Sequence, residues 1–337
     1  KIWYPKHLSL EQCSSEITAR YKARLLQGDS LTDLTGGFGI DCSFLATGFK
    51  SATYVERQEE LCEIAAHNFP VLNLNHINIK NEDGVTYLQV MSPVDSLFLD
   101  PARRNEHGGK TVAISDCEPN VAELEELLLQ KANRVMIKLS PMLDLSLALK
   151  ELKQTQEVHI LSVNNECKEL LILLGQTSPA EISIHCVNLF TKGTQKEQHF
   201  VFTREQEQCS ECTYTDSLET YLYEPNASLL KAGAFRSIAA AYLVRKLHPN
   251  SHLYTSDTFI ENFPGRIFRI VNQCSFNKKE VKENLADLKK ANVTVRNFPA
   301  TVAELRKRIH LAEGGDTYLF ASTLNNGQKV LIRCEKV

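Results

Sequence analysis

Short apolar segments in the N-terminal part of this chain end repeatedly on an acid or a glycine-rich turn. Asp33-Leu-Thr-Gly-Gly-Phe-Gly39 follows the first, Tyr54-Val55-Glu56 closes the second, and Asp83 follows the third. Asp100-Pro101-Ala102-Arg103-Arg104 closes the fourth. Helical patterns separate these segments, and strands alternating with helices make βαβ units and a parallel sheet covered on both faces. An open sheet of that kind binds its ligand just beyond the carboxyl ends of its strands. The acids and glycines therefore stand where a site belongs.

The periodicity predicts a helix over 11–27 with Ser14-Ser15-Glu16 as its capping region, ended by Gly28. Strands are expected at 30–34, 52–56, 76–79, 96–100, 134–139 and 157–163, with helices at 40–47, 58–68, 85–90, 121–130 and 145–152. The run 166–174, which contains Leu170-Leu-Ile-Leu-Leu174, reads as a further helix, and Asn164-Asn165-Glu166 at its start reads as a weaker site candidate or as the cap of that helix. Segments 181–190 and 198–203 read as a closing hairpin. Residues 204–220 are polar and non-periodic, so they read as a linker between a domain at 1–203 and another at 221–337. In the latter, 227–246 reads as helix. The remainder runs β-α-β-α-β-β: 266–271, 278–291, 294–297, 302–309, 318–323 and 329–334, an order like that of small ferredoxin-like α+β units. The fold class is thus α/β with a Rossmann-like, mostly parallel sheet and antiparallel end strands, followed by an α+β ferredoxin-like domain.

At 337 residues the chain suits two or three domains. No apolar run approaches the roughly 18 residues of a membrane span, so no membrane partner is expected. No secretory segment is visible; the chain opens on Lys1 rather than Met, and a preceding piece is expected. Ten cysteines without a repeating framework read as reduced thiols of a cytoplasmic protein. Cys209-Ser-Glu-Cys212 lacks the second pair that a four-ligand zinc site needs, so no metal is expected. Net charge is -3, but residues 1–220 hold 20 Lys and Arg against 31 Asp and Glu, while residues 221–337 hold 18 against 10. A basic module joined to an acidic one points to an anionic partner for the C-terminal part.

A dinucleotide fingerprint needs a third glycine for tight helix–strand packing. Here Gly37-Phe38-Gly39-Ile40-Asp41-Cys42 puts Cys42 in that place and a carboxylate, Asp41, where pyrophosphate would be repelled. S-adenosylmethionine, with its sulfonium and amino-acid tail, suits Asp33 or Asp41 better. Glu56 is placed to accept both ribose hydroxyl protons, and Asp83 to accept from an adenine amino group. Lys138-Leu-Ser140-Pro141 ends the fifth strand on the same crevice. Lys138 is read there as a cation that anchors a phosphate or tunes a nearby donor, against the alternative of a surface lysine.

These residues resemble the class I S-adenosylmethionine-dependent methyltransferases. Tyr223-Glu-Pro-Asn226, Lys231-Ala-Gly233, Phe263-Pro-Gly-Arg266 and Arg296-Asn-Phe-Pro299 resemble the bacterial subgroup with a C-terminal THUMP-like domain. The resemblance implies cofactor contacts from Asp33, Thr35, Gly37, Gly39, Glu56 and Asp83, with chemistry beside Asp100; Asp41, Asp100 and Pro101 are read as further cofactor contacts, and Arg103 and Lys138 join Asp100 as candidate catalytic residues. Enzymes that methylate base nitrogens carry Asp-Pro-Pro-aromatic or Asn-Pro-Pro-aromatic at this strand end, where the ring stacks on an extruded base. Asp100-Pro-Ala-Arg103 lacks one proline and the aromatic; an arginine plane is expected to stack on a base or pair with phosphate instead, against the alternative that Arg103 and Arg104 are a surface pair after the strand. The absence of a cysteine in the motif argues against covalent pyrimidine C5 chemistry. The reading is methylation of a base nitrogen in structured RNA, with Arg266, Arg269, Arg296, Arg306, Lys307, Arg308 and His310 tracking the backbone. The alternatives are a protein or small-molecule methyltransferase, and an inactive cofactor-binding RNA-binding protein. Oligomeric state is not legible.

Overall fold

The computed structural model describes residues 1–5, 13–103 and 113–337, Arg103 through its backbone alone. Residues 1–197 and 198–337 form two compact units.

The first unit opens with α1 (Glu16–Ala23), whose Ser15 hydroxyl caps the Thr18 N–H. β1 (Ser30–Asp33), α2 (Ile40–Leu45), β2 (Ser51–Glu56), α3 (Glu59–Val71), β3 (Ile77–Asn81), α4 (Gly84–Val90) and β4 (Val94–Leu99) follow. After the short pair β5 (Ala102–Arg103) and β6 (Cys117–Glu118) come α5 (Val121–Lys131), β7 (Ala132–Leu139), α6 (Leu145–Glu151), β8 (Thr155–Val163), β9 (Glu166–Gly175) and β10 (Ser183–Leu189). The main strands of this unit lie in the order β10-β8-β9-β7-β4-β1-β2-β3. Every neighbouring pair is parallel except those of β9, which runs antiparallel between β7 and β8.

The run expected as a helix at 166–174 is therefore a strand. Leu170 through Leu174 are all fully buried, and an apolar run covered on both faces has no period that separates strand from helix. The turn before it decides the matter. Asn164 and Asn165 take φ of 49° and 69°, the paired left-handed conformation of a two-residue hairpin turn, which asparagine tolerates. They join β8 to β9 and cap no helix.

β11 (Glu197–Phe202) carries the chain into the second unit, followed by α7 (Arg204–Cys209), β12 (Tyr221–Pro225), α8 (Ala227–Ala232), α9 (Arg236–Tyr242), β13 (Arg245–Lys246) and β14 (Tyr254–Ser256). Then come β15 (Gly265–Ser275), α10 (Lys278–Leu285), β16 (Lys290–Val295), α11 (Val302–Ile309), β17 (Ala312–Thr323) and β18 (Lys329–Lys336). Seven of these strands form a sheet in the order β13-β14-β12-β15-β18-β17-β16. The single helix expected at 227–246 is broken by Gly233, at φ 77°, and residues 245–246 are strand. The helix expected over 278–291 ends at Leu285, and β16 begins at Lys290. β12 and β14 were not expected; they are short, and Tyr223 and Tyr254 on them are fully buried.

Candidate active site

β1 pairs with β2 on one side and β4 on the other. The connections after β1 and β4 leave in opposite directions, which opens a crevice at the carboxyl ends of these two strands. A cleft of about 1980 Å³ lies there, and Thr35, Gly37, Glu56, Asp83, Asp100 and Lys138 line it. Pro101 lines it too; Asp33, Gly39 and Asp41 stand behind that surface. Arg103's side chain and Arg104 lie outside the described residues.

The turn after β1 is built by its own side chains. Asp33 Oδ1 accepts the Thr35 N–H at 3.0 Å, folding the chain back at the strand end. Gly36 is required by contact: a Cβ there would meet the Tyr54 ring at 2.2 Å. Gly37 and Gly39 sit at φ 52° and 81°, where a side chain costs roughly 1–2 kcal/mol. The Tyr54 hydroxyl donates to the Gly37 carbonyl. Glu56 Oε2 accepts the Gly37 N–H and its Oε1 accepts the Gln58 N–H, both at 2.9 Å. Asp83 Oδ1 caps α4 through the Val85 and Thr86 N–H groups, each at 3.0 Å, so the third acid of the ladder is a helix cap whatever else it does. Asp33 is 1% exposed, and its Oδ2 has no hydrogen-bond partner among the described residues. Burial, reinforced by Asp41, Asp100 and Glu56, pushes its carboxyl up to about 8 against the Thr35 N–H. Such a donor set suits a cationic, hydroxyl-bearing ligand: carboxylates around a glycine turn, one of them with an oxygen still to satisfy.

Below the Asp100 end of the cleft is a chain of buried charges. Lys138 Nζ donates to Asp100 Oδ2 at 2.5 Å and stands 3.6 Å from Asp41 Oδ2. Asp41 Oδ1 pairs with Lys22 Nζ at 2.9 Å, and Lys22 also reaches Glu169 Oε2 at 2.7 Å. The Ser14 hydroxyl accepts from Lys22 at 2.8 Å and donates to Asp41 Oδ2 at 2.7 Å. Burial works against the Lys138 charge, but Asp100 and Asp41 outweigh it and hold the ammonium above its ordinary value. Burial also raises Asp100, with Lys138 opposing. Asp41, where burial is overcome by Lys22 and Lys138, is held below the usual carboxylate range. The backbone N–H of Asp100 donates to Thr35 Oγ1 at 2.6 Å.

Asp41 is thus turned toward Lys22 and Ser14 rather than toward the open cleft. Lys22 and Glu169 are site residues that sequence reasoning missed. Lys22 lies in a helix where lysine normally reads as solvated. Glu169 precedes the apolar run assigned to the wrong element, and as a strand residue it turns to the opposite face from Leu170.

Several of the basic residues expected to track an RNA backbone have partners within the second unit. Arg266 and Arg296 both bind the buried Glu224, through Nε at 2.7 Å and NH2 at 3.0 Å respectively. Arg269 pairs with Glu335 at 3.0 Å, and Arg306 approaches Glu313 at 4.0 Å. Arg308 lies over the Phe276 ring at 4.0 Å, while Lys307 and His310 are exposed. Among the described residues one group has metal-ligand spacing, Glu157, His159 and His185. Both His159 nitrogens have partners: Nδ1 faces the Tyr21 hydroxyl at 2.9 Å and Nε2 faces Glu157 Oε2 at 3.2 Å. Among the described residues the cysteines form no disulfide. No helix of the described residues is long and apolar enough to cross a membrane.

Residues 221–264 match the model of a ferredoxin-like domain family, and residues 265–336 match a THUMP domain-like family. The chain is similar to a solved structure from Porphyromonas gingivalis W83 described as a candidate methyltransferase, with 37% identity over 100% of this chain and 84% of that one, at a TM-score of 0.91. Weaker likeness is found to an rRNA methylase from Streptococcus thermophilus (15% identity, 47% of this chain and 93% of that one, TM-score 0.34). A candidate methyltransferase from Streptococcus mutans in complex with SAH is similar at 14% identity, over 48% of this chain and 96% of that one, with a TM-score of 0.34. No curated protein matches the chain.

Proposed function

The chain belongs to the class I S-adenosylmethionine-dependent methyltransferases that carry a C-terminal THUMP-like domain, and from that premise we propose that it methylates a base nitrogen in structured RNA. The observation that carries this reading is the Asp100–Lys138 pair, at 2.5 Å, on the cleft that Glu56 and Gly37 also line. Small-ligand pockets span roughly 300–1,000 Å³, so a cleft of about 1980 Å³ has room for a cofactor and for a nucleotide beside it.

S-adenosylmethionine, when bound, supplies an electrophilic methyl group. Glu56 and Asp83 would hold its ribose and adenine, while Asp33, Thr35, Gly37 and Gly39 shape the turn around its charged end. Lys138 keeps Asp100 oriented and, by its charge, favours the carboxylate form. That carboxylate accepts a hydrogen bond from the target N–H, so the nitrogen lone pair is directed at the methyl carbon, and it takes up the proton that the new N–C bond displaces. Holding the reactants in line supplies up to roughly 7–11 kcal/mol of the barrier reduction. The surplus of basic residues in 221–337, with Lys307 and Arg308 exposed on α11, supports an RNA backbone as the partner of the second unit.

Isotope-labelled S-adenosylmethionine incubated with the protein and bulk RNA from cells lacking it tests the proposal. Label in RNA that disappears with Asp100→Ala is the expected result. Label confined to protein or small metabolites would overturn the RNA assignment, and cofactor binding without transfer to any fraction would overturn catalysis.

A further inference from the structure

We propose that Lys22 and Glu169 are positioning residues for the transfer site: by holding Asp41 from behind, they leave the Lys138 ammonium to Asp100. The inference rests on the methyltransferase reading above.

Lys138 lies between two carboxylates, and one buried ammonium cannot satisfy both equally. The contacts are unequal. Asp100 Oδ2 is at 2.5 Å, whereas Asp41 Oδ2 at 3.6 Å is beyond hydrogen-bond range. What holds Asp41 back is Lys22 Nζ on its other oxygen, Oδ1, at 2.9 Å, while the Ser14 hydroxyl donates to the Oδ2 that faces Lys138, at 2.7 Å. Glu169 in turn fixes Lys22 at 2.7 Å, so the fully buried Lys22 ammonium has its own counter-charge. Three carboxylates and two ammonium groups make this chain, which bridges α1, α2, β9, β7 and the end of β4. Stability alone does not account for it. Taking ions out of water costs several kcal/mol each, and apolar replacements of buried pairs are often neutral or stabilising. A network that assigns one lysine to one carboxylate at the mouth of the cleft has a positional reason to exist.

The pH dependence of S-adenosylmethionine affinity, measured by calorimetry, reads the arrangement. Asp100 is faced by Lys138 of β7, Asp41 of α2, Lys22 of α1, Asp33 of β1 and the Cys13 thiol. The acid limb belonging to Asp100 is the one that Asp100→Asn removes. Lys22→Met with Glu169→Leu removes one charge of each sign, so the net charge is unchanged. Asp41 then draws Lys138 away, and the limb is expected to move to higher pH by about one unit, a tenfold loss of affinity on that limb. Adding Asp41→Asn to that double variant returns Lys138 to Asp100 and is expected to bring the limb back. Asp41→Asn alone removes a repelling carboxylate and is expected to move it to lower pH, which keeps the test decisive if the double variant does not fold. Binding with an unmoved limb in these variants would overturn this inference alone. Absence of any cofactor binding by the wild-type protein would overturn it together with the reading on which it rests.

Discussion

The Thr35 hydroxyl accepts the Asp100 backbone N–H at 2.6 Å, tying the glycine turn after β1 to the end of β4. This bond crosses the crevice between the two strands whose connections diverge, so it sets the spacing between cofactor turn and transfer site. Thr35→Val keeps the shape and removes the acceptor, leaving a partly buried N–H unpaired at a cost of about 1–3 kcal/mol. The variant is expected to melt at lower temperature and to transfer methyl groups at least about tenfold more slowly. Thr35→Ser, which restores the oxygen, should recover most of the rate. Equal rates for the valine and serine variants would show that the bond is dispensable.

Asp33 gives cofactor binding a proton signature. Its carboxyl titrates at about 8 in the folded chain against an ordinary 3.8, so the folded state binds the proton more tightly than the unfolded state does. The sign follows: Asp33 lowers stability as pH rises from about 4 to about 8. A cationic ligand reverses the preference and favours the carboxylate. At pH 7, S-adenosylmethionine binding is therefore expected to release up to about one proton. Calorimetry in phosphate and in Tris, whose ionisation enthalpies differ, measures this directly. Asp33→Asn should abolish the difference and show a flatter stability profile across the same window. The same binding enthalpy in both buffers for the wild-type protein would rule the mechanism out.

How far the sequence could be read depended on the source of each signal. The ladder Asp33, Glu56, Asp83 and Asp100 was legible because strand ends and turn chemistry are local: Asp33 folds back on Thr35, and Asp83 caps the helix it precedes. The Leu170–Leu174 run was not legible, since its burial comes from neighbouring strands and helices rather than from its own pattern. Lys22 and Glu169 were invisible for a related reason. Their meaning comes from a contact of 2.7 Å between residues 147 positions apart, which no local pattern encodes. Arg266 and Arg296 were read as residues that track an RNA backbone and their tie to Glu224 was missed, because Glu224 precedes a proline in a short strand that carried no periodic signal.

Asn165 tests the hairpin that places Glu169. At φ 69° it holds a conformation that glycine and asparagine accept and a β-branched residue resists. Asn165→Val is expected to lower stability by about 1–3 kcal/mol, and Asn165→Gly by much less or not at all. Chemical denaturation of the two variants separates them. Because the turn fixes the β8–β9 register, the valine variant should also weaken cofactor affinity through displaced Glu169, whereas the glycine variant should not. Indistinguishable midpoints for the two substitutions would contradict the left-handed turn.

Lys307 and Arg308 offer the cleanest measurement of backbone contact by the second unit. Both are exposed on α11, unlike Arg266 and Arg296, whose guanidinium groups are tied to Glu224. A lysine or arginine that neutralises one phosphate contributes about 0.7–0.9 to the slope of log affinity against log salt. Lys307→Gln and Arg308→Gln are each expected to weaken RNA binding about equally across sequences and to reduce that slope by about one contact's worth. Arg266→Gln should instead lower the melting temperature, because it leaves a buried carboxylate with half its compensation. Titration of a fluorescent RNA at several salt concentrations, alongside thermal melts, separates the two classes. A full salt slope in the Lys307 and Arg308 variants would move the RNA surface away from α11.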